Sequence, residues 1–221
     1  MQRVLAVYLA VDTSVSMAMS GRLEAIEGAI IEFAGELLSS PLLGEQVRVA
    51  IVGFSSRAEL VLPLTDLTAQ QALPRLSAHG VTHYGPLFSL LSKVITRDVR
   101  VLRTRDTIML RPFVFLVTDS LPVDSGWEET FQEFRDATRA QVVIIGIGLD
   151  SDSATQLHRL HPAGMYLLDG DRPEVLGEEI FRIVDQYAES LVTSVIVSAR
   201  SEEHNLRLPP PNPPLGETDI F

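Results

Sequence analysis

Three short stretches of this chain carry side-chain oxygens in an order that suits a hard divalent cation. Asp12, Ser14 and Ser16 alternate as a D-x-S-x-S string, Thr82 lies within Gly80-Val81-Thr82-His83-Tyr84-Gly85, and Asp119 follows Thr118. Mg²⁺, and likewise Mn²⁺ or Ca²⁺, favours oxygen donors, and Mg²⁺ usually keeps several waters. Asp12 and Asp119 would supply charge, while the Ser14, Ser16 and Thr82 hydroxyls would fill positions without saturating the ion. A carboxylate from another protein can then take the remaining position, so metal binding becomes partner binding. Ser14 and Ser16 also have a plainer reading, as helix N-caps that need no metal.

The elements that must position these residues are legible as strands. The apolar run Val4 to Val11 stops at Asp12, and Phe113 to Val117 leads through Thr118 to Asp119. Both read as buried strands running into polar loops, and parallel α/β sheets collect ligands at the carboxyl ends of their strands. Strand and helix periods alternate along the chain, which predicts an α/β fold: a doubly wound, mostly parallel central sheet with helices on both faces. Apolar spacing predicts a helix over 22–39, ended by Pro41 and Gly44. Strands 47–54 and 58–64 form the expected antiparallel pair, with an antiparallel edge strand. A short helix is expected over 68–76, and Pro86 suits the first turn of a helix reaching about Val101. Strand 113–118, helix 127–140, strand 142–147, helix 153–160, strand 165–168 and a helix from Pro173 to Val192 follow. One domain over 1–200 is expected, with a proline-rich tail over 201–221 in which Leu208 to Pro214 reads as polyproline II.

Composition narrows the function classes. With 221 residues, 46% hydrophobic and 21% charged, the chain is that of an ordinary globular protein. It contains no cysteine, which removes disulfides, thiolate catalysis and Cys-ligated zinc, and fits a reducing cytosol. A formal net charge of −11 argues against nucleic acid as the main partner and favours a cation or a basic protein surface. The apolar start is short and leads into Asp-Thr-Ser, unlike a signal peptide, and no run approaches the roughly 20 apolar residues of a membrane helix. A cytoplasmic protein with no membrane partner is expected.

The same residues resemble a von Willebrand factor A domain with its metal-ion-dependent adhesion site. Asp12, Ser14 and Ser16 match that site's D-x-S-x-S element, Thr82 its loop threonine and Asp119 its later aspartate; the likeness covers about Arg3 to Val192. Within the family, Val7 to Ser14, Gly80 to Gly85 and Arg111 to Asp124 are most similar to bacterial TerY-type proteins of tellurium-resistance and stress clusters. The resemblance implies cation-dependent recognition of an acidic side chain, no catalysis, and a protein kinase or metal-dependent protein phosphatase as partner. Two positions depart from the pattern: Val15 and Ser120 stand where glycine is usual, and the bulk of Val15 is expected to weaken the metal site.

Rival readings attach to the same residues. A hydrolase would pair Ser14 or Ser16 with His83, yet no G-x-S-x-G surrounds either serine. A phosphoryl-transfer enzyme could use Asp12 as nucleophile, but lacks a second aspartate two residues on and an obvious catalytic lysine. A degenerate domain without metal is the third alternative. Gly146 to Ser151 begins like a dinucleotide fingerprint and reads better as a tight turn. His158 and His161 read as a solvated helix end, and His79 and His83 as rim residues. Lys93, Arg97, Arg100, Arg103, Arg105 and Arg111 suit a helix C-terminus or a docking patch for an acidic partner.

Overall fold

The run Gln2–Asp12 (β1) is buried from Val4 onward on both of its faces, which places it in the middle of a sheet. A computed structural model describes residues 2–19, 21–70, 72–103 and 107–200. After β1 come Val15–Met19 (α1), Arg22–Ser39 (α2), Pro41–Gln46 (α3), Val47–Phe54 (β2) and Ala58–Thr65 (β3). Tyr84–Leu102 (α4), Thr107–Met109 (β4), Phe113–Thr118 (β5) and Trp127–Thr138 (α5) follow. Gln141–Ile147 (β6), Ser151–His158 (α6), Gly164–Leu168 (β7) and Pro173–Arg200 (α7) complete the order.

The strands run β3-β2-β1-β5-β6-β7, with β4 pairing the start of β1. Among the described residues every strand pairing is parallel except β2 with β3. From β1 the chain builds one way to β2 and β3, then returns to add β5, β6 and β7 on the other side. The sheet therefore changes direction between β1 and β5, and the carboxyl ends of those two strands flank the crevice where such sheets bind ligands.

Side-chain alternation divides the core in two. Leu5, Val7, Leu9 and Val11 face α2 and α7, together with Phe33, Phe115, Ile145 and Val184. Ala6, Tyr8 and Ala10 face the opposite way, onto Phe88 and Leu91 of α4 and Phe131 and Phe134 of α5. Each such fully buried large side chain contributes about 1.5–3 kcal/mol. One group on the first face opposes folding: burial, then the nearby Glu189 and Glu36, pushes the Asp185 carboxyl of α7 up to about 6. Its folded value lies above its unfolded one, so the penalty appears as pH rises from about 4 and is complete above about 6. Asp185→Asn is expected to raise stability near neutral pH by about 1 kcal/mol, discounted because the site is partly open to water. The gain should vanish near pH 4, as urea denaturation at the two pH values would test.

Two sequence expectations need correction. The helix expected over 68–76 is a single 3₁₀ turn, Leu67–Ala69, capped by Asp66. Beyond it the chain is held irregular: the Leu76 amide donates to Glu27 Oε1 at 2.7 Å, and Leu73 and Leu76 pack on the core without a helix. Pro74 also disfavours continuing one. Pro41, expected only to end α2, occupies the first turn of α3, where its missing N–H costs nothing. The expected 22–39 helix matches α2. The proline-rich stretch 201–221 lies outside the described residues.

Candidate metal centre

Asp12 ends β1 and Asp119 follows the last residue of β5, the neighbouring strand of the sheet, so their carboxylates are delivered to one crevice. Asp12 is fully buried, yet its oxygens are well supplied with donors. The Ser14 amide donates to Oδ1 at 2.8 Å, and the Thr118 and Thr82 hydroxyls donate to Oδ2 at 2.7 and 2.9 Å. Burial pushes the Asp12 carboxyl above its usual range, and the hydrogen bonds from Ser14, Thr118 and Thr82 oppose that shift. A neighbouring cation would favour the ionised form.

A second chain of contacts runs beside the first. The Ser14 and Ser16 hydroxyls are 3.0 Å apart, and Ser16 donates to Asp119 Oδ1 at 2.9 Å. The other Asp119 oxygen receives the Arg22 guanidinium at 2.7 Å. The Thr82 and Ser120 hydroxyls lie 2.7 Å apart. All five oxygen-bearing residues singled out in the sequence, Asp12, Ser14, Ser16, Thr82 and Asp119, thus meet in one hydrogen-bonded cluster although Thr82 and Asp119 lie 70 and 107 positions from Asp12.

Backbone contacts hold the loops in place. Thr13 donates through its amide and hydroxyl to the Phe54 carbonyl at 2.7 and 3.0 Å, and accepts from the His79 amide at 2.8 Å. Val15 donates to Gly80 at 3.2 Å. Gly80 has φ of 66°, a left-handed conformation, and a Cβ there would collide with Ser56 Oγ. The Val123 amide donates to the Thr82 carbonyl at 3.0 Å, while the Asp124 carboxylate accepts from the Tyr84 and Gly85 amides at 2.9 and 2.8 Å. Asp124 therefore caps the first turn of α4 from a distant loop and ties the Thr82 segment to the Asp119 segment.

The donor set fits a hard divalent cation: it is all oxygen, with two carboxylates and three hydroxyls in mutual reach. No group of three or more His, Cys, Asp or Glu able to hold a metal occurs among the described residues, so an ion here would depend on the hydroxyls. Val15, expected to crowd the loop, is itself 48% exposed. Three participants were not read as ligand-site residues from sequence. Thr118 stands out only as the polar end of an apolar strand, Ser120 only as a departure from glycine, and Arg22 gives no local signal.

The secondary candidates lie outside this cluster. Gly148 takes φ of 63°, and Asp150 caps α6 by accepting from the Ser153 amide at 2.7 Å, so Gly146 to Ser151 is a strand-to-helix turn. His158 and His161 are both exposed at the end of α6. His79 turns its ring to the Ser77 carbonyl and to Arg57, and His83 occupies the N-cap position of α4. The basic residues divide: Arg97 pairs with Asp98 at 2.8 Å, Arg100 lies in the last turn of α4 and Arg103 at its C-cap. Arg105 lies outside the described residues, and Arg111 lines a groove with Arg135 and Arg139. Among the described residues no helix is long and apolar enough to cross a membrane.

Solved structures share this architecture. A variant of the PilB minor pilin of Streptococcus sanguinis has a TM-score of 0.57 at 13% identity, covering 87% of this chain and 63% of the pilin. A von Willebrand factor type A protein of Catenulispora acidiphila gives 0.58 at 18% identity, covering 86% of this chain and 43% of that one. Proximal thread matrix protein 1 of the mussel byssus, solved with zinc in its adhesion-site motif, gives 0.60 at 16% identity, covering 81% and 48%. The chain thus spans less than two thirds of each of these three proteins, and at such identities the likeness shows the fold alone. Curated protein sequences give no match. The family model for the von Willebrand factor type A domain matches residues 7–121, a stretch that holds the whole oxygen cluster and just over half the chain, and the chain belongs to that family.

Proposed function

We propose that this chain is a divalent-metal-dependent protein–protein interaction module. Asp12, Ser14, Ser16, Thr82 and Asp119 would hold one Mg²⁺ or Mn²⁺ between them, with Ca²⁺ a further candidate, and an acidic side chain of a partner would complete the sphere. The observation that carries this reading is the hydrogen-bonded convergence of those five residues at the edge where the sheet changes direction. The ion would supply Lewis acidity toward an anionic oxygen. The protein's own residues do the rest: the Asp12 loop, the Thr82 loop and the Asp119 loop are fixed to one another by backbone contacts, so little ordering is required on binding. The family often mediates protein–protein interaction, and an adhesion-site motif holds zinc in the mussel relative.

The finer reading follows from the motifs. It is a bacterial TerY-like protein of a tellurium-resistance, stress or conflict system, cytoplasmic, with a protein kinase or metal-dependent protein phosphatase as partner and neither nucleic acid nor membrane. Catalysis has less support, because Ser14 and Ser16 bond to each other and to Asp119, and no G-x-S-x-G elbow surrounds either serine. Immobilised wild-type protein in millimolar Mg²⁺ should retain a partner that chelator releases and that Asp12→Asn fails to retain. Retention indifferent to both treatments refutes the proposal.

A further inference from the structure

Arg22 begins α2, and its guanidinium reaches across to the crevice. One nitrogen sits 2.7 Å from Asp119 Oδ2, with the Asp119 side chain only 2% exposed and that of Arg22 16%. Another points to the Gly170 carbonyl at 3.4 Å, in the loop between β7 and α7. Space for this group is built into two other loops. A Cβ at Gly148 would lie 3.2 Å from the guanidinium, and a Cβ at Gly170 would collide with it outright. An exposed ion pair would mean little; this one is enclosed, and two glycines leave room for it.

We propose that Arg22 determines which ligand chemistry the site accepts, favouring a carboxylate over a neutral oxygen donor. The inference rests on the divalent-ion reading above. Asp12 and Asp119 together carry two negative charges, and the three hydroxyls carry none. A divalent ion alone would bring the site to net neutrality, leaving only the ion's own short-range attraction to favour an anion over a neutral donor. The permanent charge of Arg22 leaves the loaded site with one net positive charge, in surroundings where partly buried charges are weakly screened. The same charge repels the incoming ion. Arg22 thus weakens metal binding while strengthening capture of an acidic side chain, and these opposite effects set it apart from a residue that merely holds Asp119 in place.

The test uses the whole chain, Mn²⁺ as the metal probe, and acetate against acetamide as ligand probes at saturating Mn²⁺. Arg22→Gln is expected to bind Mn²⁺ about tenfold more tightly and acetate about tenfold more weakly, with acetamide unchanged. Arg22→Lys, which keeps the charge, should stay near wild type in both. If both affinities fall together in Arg22→Gln, or neither moves, the proposal is overturned while the metal reading stands. If wild type itself binds no Mn²⁺ at millimolar concentration, both fall. A folded state checked by thermal melting in chelator keeps the comparison fair, and the lysine variant separates charge from packing.

Discussion

Replacing Asp12 with asparagine is expected to leave the metal-free protein at least as stable as wild type while removing its response to divalent ions. The carboxylate is fully buried, and burial raises its pKa, so ionised Asp12 costs the folded state free energy at neutral pH when no cation is present. Asparagine satisfies the same neighbours without that charge. Its carbonyl can accept from the Ser14 amide, and its NH₂ can face the Thr82 and Thr118 hydroxyls, which rotate to accept instead of donating. In wild type, an ion at about 100 times its dissociation constant would stabilise the fold by about 2.7 kcal/mol. For a protein of this size that corresponds to about 5–10 °C in melting temperature. Asp12→Asn should show no such rise. Melting with and without Mg²⁺ checks both halves, and an asparagine variant that melts well below wild type in chelator contradicts the account of Asp12 as a strained group kept for function.

Asp124→Ala should produce the largest loss of stability among the substitutions considered, although Asp124 is not one of the five proposed ligands. Its two oxygens accept from the Tyr84 and Gly85 amides, and these charge-assisted bonds satisfy donors that the first turn of α4 leaves without intrahelical partners. Alanine leaves both amides unpaired beneath the loop, at a cost of about 2–3 kcal/mol, or a fall of about 5–10 °C in melting temperature. Thr82 lies two residues before Tyr84, and its carbonyl is held by Val123 next to Asp124. The same substitution should therefore loosen the Thr82 hydroxyl and weaken Mn²⁺ binding about tenfold. Asp124→Asn, which keeps one acceptor oxygen, should recover part of each effect. A variant that loses stability but binds Mn²⁺ as tightly as wild type would show that the two loops are not coupled through this cap.

Strands and amphipathic helices were readable because their periods repeat over many residues. α2 shows it best, with Leu23, Ile26, Ala29, Ile30, Phe33 and Leu37 buried on one stripe. Residues 68–76 misled because Leu73 and Leu76 are spaced as on a helix but reach the core from an irregular chain anchored by Glu27. The short elements β4 and α1 carry too few residues for a period to emerge, and α3 was hidden by a proline that starts helices as readily as it ends them. In the candidate centre, Asp12, Thr82 and Asp119 were visible because each closes a strand or sits in a glycine-bounded loop. Arg22 and Asp124 act on residues 97 and 39 or 40 positions away, so their roles emerge only when the loops are brought together.

Titration of Mn²⁺ into chelator-treated protein, followed by the loss of the free ion's electron paramagnetic resonance signal, tests the central claim most directly. One ion should bind per chain in wild type, and Asp12→Asn should abolish that binding. No binding at millimolar Mn²⁺, or equal binding by both proteins, would contradict the assignment of these five oxygens to a single cation.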